Sequence, residues 1–151
     1  VRGVVLKPPK LVKVKAHVLL SILRRALRAY PHECCGVLLG RAGEVAVVEE
    51  ESPLRNLYEG EPGRFWFSDE EWVRALKLAK IKGRDYVGLY HSHPDGSALP
   101  SLSDRHRMLA IPSEVWLIVA VTRQAVTGYM AWRIDDAGSS IVRLPVEVVW
   151  C

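Results

Sequence analysis

Two histidines, a serine and an aspartate fall within fourteen residues: His91-Ser92-His93-Pro94, then Ser101 and Asp104. Side chains on a strand alternate between its faces, so His91 and His93 point the same way if the segment is extended. Their Cα atoms are then roughly 6.5 to 7 Å apart, within reach of one metal ion. Two imidazoles and the Asp104 carboxylate form a ligand set for zinc, and the fourth tetrahedral position is left for water. A site of that kind is catalytic, because structural zinc sites are closed by four protein ligands.

Each fragment also has a plainer reading. His-x-His describes two solvent-facing histidines on an edge strand equally well. Ser101-x-x-Asp104 fits a helix capping box, with the serine capping and the acid reaching back. Pro94-Asp95-Gly96 is a turn signal. The capping and ligand readings are compatible, since a capped helix holds Asp104 rigidly. His17, His32 and His106 are weaker ligand candidates. His17 falls in an amphipathic helical stretch, His32 faces away from its neighbour Glu33 on an extended chain, and His106 points roughly 160° away from Asp104 on a helix.

The arrangement resembles the JAMM (MPN-plus) metalloprotease family. That family's pattern is an upstream Glu, then His-x-His-Pro, six residues, Ser, two residues and Asp. Here it reads Glu33, His91-Ser92-His93-Pro94, Asp95 to Pro100, Ser101, Leu102-Ser103 and Asp104. Pro31-His32-Glu33-Cys34-Cys35-Gly36 and the apolar Val87-Gly88-Leu89-Tyr90 are similar to the family's flanking strands. The resemblance covers roughly residues 11 to 135. It implies an α/β (α+β) cytidine-deaminase-like sandwich with one zinc ion per chain and a catalytic water. It further implies Glu33 as proton acceptor and donor, and Ser101 as hydrogen-bond donor to the oxyanion. The implied substrate is a ubiquitin-like or sulfur-carrier protein cut after its C-terminal Gly-Gly. The wording His-Ser-His-Pro-Asp-Gly-Ser-Ala-Leu-Pro-Ser is similar to compact prokaryotic members. There is no room after Asp104 for the insertion of polyubiquitin-cleaving eukaryotic ones. A non-catalytic MPN-type scaffold and a RadC-like DNA-associated protein are the alternatives.

These residues need elements to carry them. Asp85 to His93 reads as a central, buried strand, and Ser101 to about Leu109 as a helix. Leu11 to Val14 predicts a first strand. Lys15 to Tyr30 predicts a helix with Leu19, Leu23, Leu27 and Tyr30 on its apolar face and Ser21, Arg24, Arg25 and Arg28 on the other. Cys34 to Arg41 and Glu44 to Glu51 form a hairpin about Ala42-Gly43, with Glu49, Glu50 and Glu51 read as a solvated run. Residues 52 to 63 are a loop, and Arg64-Phe65-Trp66-Phe67 a short aromatic strand. Ser68-Asp69-Glu70-Glu71 is a capping box opening a helix that Gly83 closes, with Trp72, Leu76, Ala79 and Ile81 on its apolar side. Glu114 to Thr122, Thr127 to Ile134 and Ile141 to Val149 are strands. This order predicts a mixed, largely antiparallel sheet packed with helices.

With 151 residues, 49% hydrophobic and 25% charged, the chain suits one domain over 11 to 151 after a basic tail, 1 to 10. No apolar run reaches the roughly 18 to 20 residues of a membrane span, and the expected location is the cytoplasm. Net charge is +4, and residues 1 to 32 hold eight Lys or Arg and no acid. Without aromatic interleaving or a glycine-rich phosphate loop, that points to a solvated basic face rather than nucleic acid. Cys34, Cys35 and Cys151 are too few and too unevenly placed for a disulfide framework. Adjacent Cys34 and Cys35 should face opposite ways.

Overall fold

The computed structural model describes residues 7–58, 60–61, 63–135 and 140–150. Most of the expected basic tail (residues 1–6) and Cys151 lie outside that set. Residues 7–10 are held rather than trailing. Lys7 and Lys10 both pair with Glu44, and Arg133 Nε donates to the Pro9 carbonyl at 2.9 Å.

Eight strands form one sheet: β1 Leu11–Lys15, β2 Cys35–Arg41, β3 Val45–Leu54, β4 Asp85–His93, β5 Val115–Val121, β6 Val126–Ile134, β7 Ile141–Leu144 and β8 Val146–Val149. Three helices accompany them: α1 Ala16–Ala29, α2 Asp69–Ile81 and α3 Leu102–Met108. The order across the sheet is β7-β6-β5-β4-β2-β3-β1-β8. Four of its seven pairings are antiparallel; β1–β3, β1–β8 and β4–β5 are parallel. The mixed, largely antiparallel sheet expected from the sequence is what forms. The expected strand Ile141 to Val149 is two strands, because Pro145 has no N–H for a ladder. They lie at opposite margins of the sheet, one residue apart in the chain, so the sheet curls around until those margins meet.

Strict alternation along β5 divides the core. Val115, Leu117, Val119 and Val121 face α1, while Trp116, Ile118 and Ala120 face the side covered by α2 and α3. Cys34 and Cys35 divide the same way. On α1 the buried stripe is Val18, Leu19, Ile22 and Ala26. Leu27 is exposed with Leu20, Arg24 and Arg28, because the face turned to the sheet is the one carrying Val18, Ile22 and Ala26. Part of the helix's polar side is engaged as well, while Arg24 and Arg28 stay exposed. Ser21 Oγ and Arg25 Nε bond Glu51 Oε2 at 2.9 and 3.0 Å, and Tyr90 Oη bonds Glu51 Oε1 at 2.6 Å. The Glu51 side chain is therefore 6% exposed rather than solvated, and Glu49 and Glu50 pair with Arg84 and Lys82. On α2, Ala75 and Ala79 are buried while Ile81 is 82% exposed. Ser68 caps α2 through Glu71 N, but the Glu71 carboxylate accepts from Arg55 N, so the box is half made.

Gly88 sets how closely β4 and β5 approach. A Cβ there would come within 1.8 Å of the Val115 carbonyl oxygen. Backbone cannot yield as a side chain can, so Gly88→Ala should destabilise by about 3 kcal/mol. Thermal denaturation should show this as a fall in Tm of roughly 6 to 12 °C.

Candidate active site

The β2–β4 ladder explains how Glu33 and His93, 60 positions apart in the chain, meet. Cys35 pairs with His91 in antiparallel register. Cys34 and Ser92 continue it, with Ser92 N donating to Cys34 O at 3.1 Å and Cys34 N to Ser92 Oγ at 3.0 Å. One step further brings Glu33 beside His93. Glu33 is 6% exposed, and burial, with Asp104 and Asp95 nearby, pushes its carboxyl up to about 7 against the opposing pull of His93.

His91 and His93 end β4 on the same face, beneath α3. Phe65 stacks on the His91 ring at 4.1 Å, and Trp116 meets it edge-on at 5.5 Å. Three ligand atoms converge there. His91 Nε2 and His93 Nε2 are 3.0 Å apart, and Asp104 Oδ2 lies 3.2 and 3.1 Å from them. A tetrahedral ion with bonds near 2.05 Å has ligand–ligand edges of about 3.3 Å, so the triangle has the size of one face of such a site.

Proton positions favour the same conclusion. His93 Nδ1 lies 2.9 Å from the Ser97 carbonyl and must carry the proton to bond it. In its neutral form His93 then presents a bare lone pair at Nε2, the outer-sphere arrangement typical of metal-binding histidine. Against the effect of burial, Asp104 and Glu33 raise its affinity for a second proton. Complete burial holds His91 below the usual imidazole range, although Asp104 pulls the other way. Burial works against ionising Asp104, yet the two histidines and the Ser101 N–H hold its carboxyl far below the usual range. Lone pairs crowded this closely suit a cation.

Two carboxylates are near enough to be the third ligand. A Glu33 oxygen and one nitrogen of each histidine lie within 4.8 Å of one another, so Glu33, His91 and His93 could also form a metal-binding group. Asp104 meets the tighter, edge-length spacing to both histidines.

Asp104 is fixed by α3's first turn. Ser101 Oγ accepts from Asp104 N at 3.0 Å while Asp104 Oδ2 accepts from Ser101 N at 2.9 Å. The capping box and the convergence on the histidines coexist in one carboxylate. The loop before α3 is pinned where Trp132 Nε1 donates to Ala98 O at 2.9 Å.

These groups open onto a cleft of about 290 Å³, whose walls include Tyr58, Arg64, Phe65 and Asp95. The stretch 64–67 is not the expected strand. Leu57 N bonds Trp66 O at 2.7 Å, but Trp66 N goes to a side chain, Asn56 Oδ1, at 3.2 Å. Buried Asn56 also accepts from Tyr58 N and donates to the carbonyls of Arg64 and Glu33, each at 2.9 Å. It thus joins the cleft wall to the Glu33 backbone. Its role was missed in the sequence; a lone Asn at a loop edge was the available signal. His17 and His106 are exposed and His32 half-buried, and none of the three joins this group.

The family model described as prokaryotic homologs of the JAB domain matches residues 15–135. A desampylase from Pyrococcus furiosus is 30% identical over 135 residues, covering 89% of each chain. A Haloferax volcanii desampylase is 36% identical over 88 residues, 58% of this chain and 62% of that one. A probable TtuB-protein conjugate cleaving protease from Thermus thermophilus is 33% identical over 104 residues, 68% of this chain and 62% of that one. The chain therefore spans less than two thirds of these last two relatives. A solved structure from Desulfitobacterium hafniense superposes with a TM-score of 0.80 at 28% identity, covering 93% of this chain and 94% of that one. Among the described residues no helix is long and apolar enough to cross a membrane.

Proposed function

The chain belongs to the prokaryotic JAB-domain family, and from that premise we propose a zinc-dependent peptidase or isopeptidase that cuts after the C-terminal Gly-Gly of a ubiquitin-like or sulfur-carrier protein. The observation that carries this reading is the 3.0 to 3.2 Å triangle of His91, His93 and Asp104 with Glu33 beside it. The relatives' names, desampylase and conjugate cleaving protease, support the substrate class. A non-catalytic scaffold would have no use for these converging groups. The Lys7, Lys10 and Arg25 side chains are paired with acids, which leaves less of the basic first third for DNA.

His91 Nε2, His93 Nε2 and Asp104 Oδ2 would hold the zinc. When bound, it supplies a Lewis acid that polarises a carbonyl and acidifies water. Glu33, whose carboxyl is pushed up to about 7 by burial, takes the proton of the attacking water and returns it to the leaving amine. Ser101 uses an oxygen lone pair for the Asp104 cap, so its O–H remains able to donate to the carbonyl oxygen as that atom becomes anionic. A Gly-Gly tail suits the cleft because it can lie extended without side chains.

The direct test incubates zinc-loaded and chelator-treated protein with ubiquitin-like fusions carrying Gly-Gly before a linear extension or a lysine ε-amine. Mass spectrometry should find products ending in Gly-Gly in the loaded sample alone. Full metal occupancy with every substrate intact would overturn the proposal.

Ser101 can be tested separately. Ser101→Ala removes both cap and donor, and should lower kcat roughly 10²- to 10³-fold while costing about 1 kcal/mol of stability. Ser101→Gly retains most of the capping preference, so the same loss of kcat with little change in Tm isolates the donor role.

A further inference from the structure

Arg107 lies one helical turn after Asp104 on α3, and residues so spaced share a helix face with Cβ atoms roughly 5 to 6 Å apart. It lines the cleft together with Glu33, His93, Ser101 and Asp104. Its guanidinium carbon is 3.6 Å from the centroid of the Trp66 ring. Trp66 in turn stacks on Phe67 at 4.3 Å and leans on Phe65, the residue against His91. The guanidinium is thereby braced against an aromatic ladder that ends at the candidate ligands.

The bracing uses the face of the group and leaves its in-plane N–H donors available. Among the described residues none is hydrogen-bonded to or ion-paired with the Arg107 guanidinium. Arg64, across the same cleft, is already matched: it lies over Tyr58 at 4.0 Å and pairs with Glu61 at 3.2 Å. The cleft's other charges include Glu33, Asp95 and Asp104. An anionic substrate group entering it would be repelled unless a cation met it. An orientationally fixed guanidinium with free donors is the side chain that grips a carboxylate through two parallel hydrogen bonds.

We propose that Arg107 is a specificity-determining residue that binds a substrate carboxylate close to the scissile bond. The inference rests on the hydrolase reading above. A Gly-Gly tail carries no charge of its own. The carboxylate is therefore either the α-carboxylate of a one-residue leaving group or an acidic side chain beside the cut.

Two matched substrate pairs distinguish these sources. One pair has a single residue after Gly-Gly, as free acid or as carboxamide. The other has Glu or Gln after Gly-Gly, followed by an amide-capped extension. The wild-type kcat/KM should favour the carboxylate member of one pair by roughly tenfold or more, and the responding pair names the source. Arg107→Gln should bring that ratio to about one, and Arg107→Lys, which keeps the charge without the planar fork, should fall between. A wild-type ratio near one in both pairs overturns the proposal. So does an Arg107→Gln protein that loses activity equally on both members, since a purely structural contact with Trp66 would act that way.

The same peptides titrated into the Glu33→Gln protein, with and without Arg107→Gln, read the preference as a ratio of Kd values. If no substrate is cleaved, the hydrolase reading fails. The Kd ratio still decides on Arg107, because a carboxylate preference abolished by Arg107→Gln supports it and equal Kd values overturn it.

Discussion

The Glu33→Gln protein should fold, bind one zinc and turn over at least 10²- to 10⁴-fold more slowly, the range for loss of a positioned general base. Glutamine keeps the volume and the backbone geometry, including the Glu33 carbonyl that accepts from Asn56 Nδ2. It cannot take a proton from water. Burial that raises the Glu33 carboxyl also means the neutral amide should fit at least as comfortably, so Tm should not fall. Mass-spectrometric progress curves and metal analysis on the same preparation give the check. Equal cleavage by both proteins would remove Glu33 from the mechanism while leaving the metal site intact.

Asp104→Asn should lose the metal. The amide oxygen can still accept from Ser101 N, so the cap on α3 survives in large part. The negative charge shared between His91 and His93 does not. Outer-shell changes at metal sites weaken affinity by about 10- to 100-fold, and loss of a direct ligand should exceed that. Dialysed protein should therefore hold close to one zinc per chain in the wild type and almost none in the variant, with activity at background. Saturating zinc should raise the wild-type Tm, because a ligand bound by the native state alone stabilises it. That rise should be absent in Asp104→Asn. Retained stoichiometry would give the third ligand position to Glu33, whose oxygen also lies near both histidines.

The convergence of His91, His93 and Asp104 was readable because most of it is local. His91, His93 and Asp104 are placed by one strand, one loop and one capped turn, and strand period and capping pattern announce each of these. Asp85 to His93 came out with its observed bounds. Glu33 was different. Its meeting with His93 depends on the register of two strands whose sequences do not specify that they pair, and only the family resemblance connected them.

The failures have a common cause in long-range partners. Arg64 to Phe67 has strand composition, but Asn56 takes the Trp66 N–H that a ladder would need. Glu51 reads as solvated until Ser21, Arg25 and Tyr90 arrive from two other elements. The buried stripe of α1 runs through Val18, Ile22 and Ala26 rather than Leu27, because the sheet's concave side selects one of two adjoining apolar rows. Pro145 did carry a local signal, a missing donor inside an apolar run, and it marked the division between β7 and β8.

That division bears on how the polypeptide matures. The strands on either side of Pro145 supply both borders of the sheet, so before they are synthesised β6 and β1 each present an open ladder to any passing β-strand. Non-local pairing of this kind is slow to form, and unpaired strands invite misassembly. A nascent chain halted near residue 140 should therefore bind chaperones avidly and be cut readily by proteases. Roughly ten more residues would act as a clasp that ends both vulnerabilities together.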